Sequence, residues 1–209
     1  HVVETRKAPR GRRVETIREV VEGSGQVQEH VGSRTFSFPA TAFWQAHSQA
    51  PAAYTQLVTE WLGQREYQER TAWDLYGGVG LFVPALAAAV QGKVISVDYS
   101  PAATAAEQPC LADCDVELKS AKVEQVAAQL PKPGAVVLDP PRTGAGKDVI
   151  RSVAAAAPQA VVHVGCDPAT FARDLHYWDE HGYGIEKMAL INAFPGTHHF
   201  ETIALITPA

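Results

Sequence analysis

From Thr71 onward, short β-branched apolar runs alternate with Ala-rich stretches of helical periodicity. The runs are TAWDLY (71–76), KVISVDY (93–99), VELKSA (116–121), AVVLDPP (135–141) and AVVHVGC (160–166). Between them, Leu81–Val90, Pro101–Gln108, Val123–Leu130 and Lys147–Ala157 read as helices. A further helix, PATFARDLHYWDEHG, precedes two strands in succession, GIEKMALINAF and HFETIALIT. Strict alternation predicts an α/β fold: a doubly wound, mostly parallel sheet with helices on both faces. The two final strands predict an antiparallel hairpin at one edge.

The first part of the chain is built differently. Val14 to Pro39 carries VETIREVV, GQVQEHV and RTFSFP, punctuated by Gly23, Gly25 and Gly32, and reads as a small meander of β-hairpins. A helix is expected from Ser48 to Leu62, with Ser48 as its cap and Leu57, Val58, Trp61 and Leu62 at helical spacing. The net charge of −5 argues against a polyanion partner, but the charge is uneven. Residues 1–18 hold six basic and two acidic side chains, which leaves an acidic body behind a basic arm. Such an arm suits a local polyanion contact or a solvated terminus. No apolar run approaches a membrane span and no leader pattern opens the chain, so a cytoplasmic protein is expected. Three cysteines do not make a disulfide framework, and the Cys110–Cys114 pair lacks the second pair of ligands a zinc site needs. No metal is expected.

In an open α/β sheet, ligands bind beyond the carboxyl ends of the strands. The first of the alternating strands ends DLYGGVG, Asp74 to Gly80, where Gly77, Gly78 and Gly80 permit a tight turn and close approach of a ligand. The second ends at Asp98, placed to accept hydrogen bonds from a ribose. The G-G-x-G spacing departs from the dinucleotide pattern G-x-G-x-x-G. An acid at Asp74 would repel a pyrophosphate but suits the cationic end of S-adenosylmethionine, so that cofactor is expected over a nicotinamide dinucleotide.

The fourth strand ends in Asp139-Pro140-Pro141, a carboxylate on rigid backbone lacking two N–H donors. The fifth ends at Cys166, which should face the same crevice. A cysteine there reads either as a core thiol or as a nucleophile whose pKa the following helix N-terminus lowers. Asp167 either crowds that thiol or caps the helix. In NAFPGTHHFET, Glu201 is a candidate proton acceptor if the closing hairpin folds back over the crevice, whereas His198 and His199 lack a second acid for a metal set.

Six ordered blocks, FWQ, DLYGGVG, VDYS, DPPRTG, VGCDPATFARDL and FPGTHHFE, span roughly Phe43 to the C-terminus and together resemble the RNA uracil-5-methyltransferases. The resemblance implies a Rossmann-like class I methyltransferase sheet over residues 48–209, behind a β-rich partial linking subdomain at 1–47 that carries the basic arm. It implies S-adenosylmethionine contacts from Gln45, Tyr76, Asp98 and Asp139, with Gly78 in the cofactor loop. Cys166 would attack carbon 6 of a uracil in tRNA or rRNA, and Glu201 would remove the carbon 5 proton. The base must leave its stack to reach such a pocket. A monomer is expected. The family's usual Ser-Cys-Asn is here Gly165-Cys166-Asp167, and the Asp that usually precedes the Phe-Pro turn is Asn192. The oligonucleotide-binding barrel that family members carry at the N-terminus is not visible, so a catalytic portion is expected. Two alternatives stand beside this reading: an amino methyltransferase using the Asp-Pro-Pro motif, and a truncated domain that binds RNA or cofactor without turnover.

Overall fold

The computed structural model describes residues 2–7, 15–100, 103–197 and 200–209. Two hairpins open the chain. Strand β1 (Val2–Lys7) pairs antiparallel with β2 (Glu15–Val20), and β3 (Gln26–Val31) pairs antiparallel with β4 (Arg34–Pro39). The expected meander is therefore two separate two-stranded units, and part of the basic arm is itself a strand. Arg10, Arg12 and Arg13 lie outside the described residues.

Helix α1 (Ala50–Gly63) begins near its expected start, but Gln49 occupies the N-cap position and Ser48 caps nothing. Pro51 in the first turn explains the start without a cap, because its fixed φ suits a helix and its missing N–H needs no partner there.

The remaining strands form one seven-stranded sheet. Strands β5 (Thr71–Leu75), β6 (Lys93–Asp98), β7 (Val116–Ser120), β8 (Ala135–Leu138) and β9 (Ala160–Gly165) are parallel. Strands β10 (Tyr183–Ile191) and β11 (Glu201–Pro208) make the closing hairpin. The spatial order is β7-β6-β5-β8-β9-β11-β10, so the chain winds outward from β5 in both directions. The hairpin is at an edge, as expected, but its second strand is inserted: β11 lies between β9 and β10, antiparallel to both. Burial agrees, since β11 is buried from Glu201 to Ile206 whereas β10 alternates toward solvent.

Helices α2 (Val83–Val90), α4 (Lys147–Ala155) and α5 (Pro168–Glu180) form where the Ala-rich stretches predicted them, with α3 (Val123–Val126) reduced to a single turn running into a 3-10 turn. The helix expected over Pro101–Gln108 does not form. Residues 101–102 are outside the description, and the rest holds a 3-10 turn, Ala105–Glu107, that stops at an extended Gln108. Pro109 forces that stop, because a residue ahead of proline is sterically driven out of the helical region.

The sheet separates two cores. On one face Val137, Val162, Val164, Ile203 and Leu205 pack with Tyr54, Val58 and Leu62 of α1 and with α2. On the other, Val136, Leu138, Val161, Ala204 and Ile206 pack with α4 and α5. Phe36 and Phe38 of β4 belong to the first core, with Trp44 stacked on Phe38 at 4.9 Å between ring centroids. Burying each of these aliphatic side chains contributes roughly 1.5–3 kcal/mol, enough for the two cores to fix the strand ends on which the site stands.

Candidate active site

Side chains alternate along a strand, so a residue two positions beyond a core residue projects from the same face. Asp139 follows Val137, Cys166 follows Val164, and Glu201 precedes Ile203 by two, and all three of those aliphatics lie in the α1 core. The three polar residues therefore project together beyond the strand ends on the α1 face. Register brings two of them side by side. Thr202 pairs with Gly165, so one further step of the same antiparallel ladder sets Glu201 opposite Cys166.

They line a cavity of about 460 Å³ with Gln45, Tyr76, Asp98, Arg142, Phe43 and Phe194. Gln45 donates from Nε2 to Oδ2 of Asp139 at 2.9 Å, which ties the FWQ block to the end of β8. Asp98 accepts from the Gly78 N–H at 2.9 Å and from the Ser100 N–H at 2.6 Å. Gly78 lies in the adjoining small recess with Gly77 and Val79. Gln45, Tyr76, Gly78, Asp98, Asp139, Cys166 and Glu201 thus border one crevice or its annex, whereas Asp74, expected to face the cofactor's cationic end, does not. Residues 198–199 lie outside the described part of the turn. Among the described residues, no group of three or more His, Cys, Asp or Glu side chains could hold a metal ion.

The glycine loop shows why its residues are what they are. Tyr76, Gly78 and Gly80 all have positive φ, at 61°, 54° and 85°. For Tyr76 that conformation costs about 1–3 kcal/mol and is held by its N–H donating to the Val97 carbonyl at 2.8 Å. A side chain at Gly77 would overlap Oδ2 of Asp74 and the Ser96 hydroxyl. Asp74 is therefore beneath the loop, 1% exposed, rather than on the cavity wall. Its Oδ2 accepts from Ser96 at 3.2 Å, its Oδ1 has no protein partner, and burial pushes its pKa up to about 7.

The electrostatics are those of crowded acids. Burial, and then the neighbouring Glu201 carboxylate, push Asp139 up to about 7 against the pull of Gln45. Burial raises Glu201 while Arg142 opposes the rise. Burial, Glu201 and Asp139 also push the Cys166 thiol up, with Arg142 opposing. Burial and these two acids thus outweigh the lowering expected from the helix N-terminus. Asp167 does not crowd the sulfur: its Oδ1 accepts the Thr170 N–H at 2.9 Å and caps α5. Gly165 also has a steric reason, since a side chain there would overlap the Phe171 ring.

Arg142, Phe43 and Phe194 were not singled out in the sequence, although all three lie in the quoted blocks. The loop bearing Arg142 is pinned by α5. The Thr170 hydroxyl donates to the Arg142 carbonyl at 2.9 Å, and Arg173 donates to the Thr143 carbonyl at 2.7 Å. Asp174 accepts the N–H groups of Ala145 and Gly146 at 2.6 and 3.3 Å.

The strand order, with one antiparallel strand inserted beside the last parallel one, is that of the S-adenosylmethionine-dependent methyltransferase fold. A solved tRNA (uracil-54, C5)-methyltransferase of Pyrococcus abyssi, in complex with S-adenosyl-L-homocysteine, superposes with a TM-score of 0.77 at 25% identity, covering 96% of this chain and 49% of that one. Residues 122–208 match the family described as tRNA (Uracil-5-)-methyltransferase. An uncharacterized RNA methyltransferase of Corynebacterium glutamicum is 53% identical over 98% of the chain, and one of Streptomyces coelicolor 36% identical over 90%. The chain spans about half the length of these relatives, 51% and 42% respectively. Among the described residues, no helix is long and apolar enough to cross a membrane.

Proposed function

We propose that the protein methylates carbon 5 of a uridine in tRNA or rRNA through a covalent Cys166 adduct. The observation that carries this reading is the ladder step that sets Glu201 opposite Cys166 on the wall of one cavity. A thiol and a carboxylate so placed can act on adjacent atoms of one planar base.

S-adenosylmethionine would be the methyl donor, and the residues present fit it. Asp98, already holding the loop at Gly78, retains lone pairs for ribose hydroxyls. Gln45 and Asp139 are coupled at the crevice mouth, Tyr76 borders both recesses, and the acidic lining suits a cation. When bound, the cofactor supplies an electrophilic methyl group.

The chain's own residues do the rest. Carbon 5 of uracil is a weak nucleophile, and addition of the Cys166 thiolate to carbon 6 places electron density on carbon 5. Arg142 is the cation placed to favour that thiolate. After carbon 5 has taken the methyl group, Glu201 accepts its proton, the electron pair restores the carbon 5–carbon 6 double bond, and the carbon–sulfur bond breaks. In this reading residues 1–47 are a partial linking subdomain presenting basic residues to RNA, and 48–209 are the methyltransferase domain, acting as a cytoplasmic monomer. The Cys166 contribution disfavours an amino methyltransferase, which needs no thiol.

Methyl transfer to unmodified tRNA and rRNA, with the product nucleoside identified, tests the reading: 5-methyluridine is expected. Glu201→Gln should accumulate a protein–RNA adduct on a denaturing gel as turnover falls by about 10²–10⁴-fold. Unchanged turnover with no retained adduct would remove Glu201 from the base role.

A further inference from the structure

Gln108 is 4% exposed and does not line the crevice. Pro109 holds it extended, with φ −71° and ψ 118°, where the 3-10 turn after β6 stops. Its side-chain amide meets β4. Oε1 accepts the Ser37 N–H at 3.0 Å and Nε2 donates to the Ser37 carbonyl at 2.8 Å, so one amide satisfies both backbone groups of Ser37, as a neighbouring strand would. The same Nε2 donates to the Thr104 hydroxyl at 2.7 Å. Both N–H groups of the amide are thereby committed to a single geometry.

From Thr104 the bonding continues into the glycine loop. The Thr104 N–H donates to the Gly78 carbonyl at 3.1 Å, and the Gly78 N–H donates to Oδ2 of Asp98 at 2.9 Å. Packing follows the same line, since a side chain at Gly80 would overlap Ala105 and Leu111, on either side of Gln108 in the chain. The hairpin also reaches the crevice by a second route: Trp44 stacks on Phe38, and the next residue, Gln45, donates to Asp139. Asp98 is held through the N–H groups of Gly78 and Ser100, both on loops, so it is placed only as firmly as those loops are.

We infer that Gln108 is a positioning residue for cofactor binding: it clamps the glycine loop, through Thr104, to the β3–β4 hairpin and so fixes Asp98 where the ribose is met. The inference rests on the proposed reading of Asp98 as the ribose acceptor. It makes the hairpin a structural part of the cofactor site as well as a link to the residues before it.

The test is Gln108→Leu in the full-length protein, read as S-adenosylmethionine affinity by calorimetry. Leucine fills similar space but offers no hydrogen bond, and affinity is expected to fall about tenfold. Amide exchange at Gly78 and Thr104, followed by NMR in the cofactor-free protein, should speed up by a similar factor. Thr104→Val breaks only the link toward the loop and covers the case in which Gln108→Leu folds poorly. A loss of about threefold is expected there, whereas Thr104→Ser, which keeps the hydroxyl, should bind like the unaltered protein. Arg34→Ala removes the other tether of the same hairpin, a bidentate contact with Asp113, and should lower the unfolding midpoint without moving cofactor affinity. Added to Asp98→Ala, Gln108→Leu should cause little further loss, because the clamp acts through that carboxylate. Unchanged affinity in both Gln108→Leu and Thr104→Val, a fully additive pair with Asp98→Ala, or an equal loss in Arg34→Ala would overturn the role and leave a residue that only holds the hairpin. If Asp98→Ala binds the cofactor normally, the ribose reading itself fails. If Asp98→Ala binds weakly while Gln108→Leu and Thr104→Val bind normally, only the Gln108 inference fails.

Discussion

The two faces of one sheet carry two buried polar clusters of opposite character. Beneath α5, Trp178 donates from Nε1 to Nδ1 of His163 at 3.1 Å, and Nε2 of His163 lies 3.8 Å from Asp174. Asp174 in turn accepts two loop N–H groups and the Arg173 guanidinium. Beneath α1, acids raise one another, the thiol is held protonated, and the hydroxyl of Tyr54 and Oδ1 of Asp74 lack protein partners. A closed network rigidifies, whereas an unpaired one is a poor way to stabilise a fold. On the proposed reading, the second cluster is where the molecule has given up stability for chemistry.

Crossing two variants breaks this comparison most sharply. Cys166→Ala should cost about 10⁴-fold or more in methyl transfer while leaving thermal unfolding and cofactor binding essentially unchanged. Asp174→Ala should do the reverse in stability, stranding the Ala145 and Gly146 N–H groups and the Arg173 charge. A loss of about 3 kcal/mol is expected, or roughly 6–12 °C in unfolding midpoint by calorimetry. A thermally silent Asp174→Ala would dissolve the distinction between the faces.

Acid separates the clusters in sign. Burial depresses His163 from 6.5 to about 4, although Asp174 opposes the shift. A depressed histidine contributes stability that is fully present above 6.5 and lost as pH falls toward 4, because only the unfolded chain takes up the proton in that window. Relative to His163→Asn, the unaltered protein should lose roughly 3 kcal/mol between those limits, measured by urea unfolding at each pH. On the α1 face the sign is opposite. Asp74 and Asp139, raised from 3.8 to about 7, favour the fold below 3.8 and lose that contribution as pH rises through 7.

The smallest effect sharpens the site's role. If ionised Asp139 attracts the cofactor cation, affinity should rise about fivefold from pH 6 to 7 and level off near pH 8 at about tenfold. Asp139→Asn should flatten that rise in a calorimetric titration. A slope that persists in the variant would shift the effect to another acid.

Much of this could be read from the chain. The central strands are continuous β-branched runs because both of their faces are covered, and polar residues at their ends then stand out as Asp98, Asp139 and Cys166. The position of β11 was also encoded, since ETIALITP is unbroken while β10 alternates, but a hairpin at the chain's end reads the same in either strand order. Strand β1 was hidden by its charged residues, which resemble a solvated arm. The thiol's raised pKa was illegible because it depends on burial and on Glu201, 35 positions later in sequence and one ladder step away in space.

The insertion of β11 also fixes the order in which the proposed site can assemble. A ribosome delivers β9 and β10 before β11, so the emerging chain has a sheet with a gap beside Cys166. Glu201 reaches Cys166 only when that gap is filled, and the same event buries the flank of β9. On the proposed reading, a product terminated before β11 would hold the thiol and the glycine loop but no proton acceptor, and could not release a base it had captured. The arrangement makes completion of the sheet and assembly of the proposed thiol–carboxylate pair a single event.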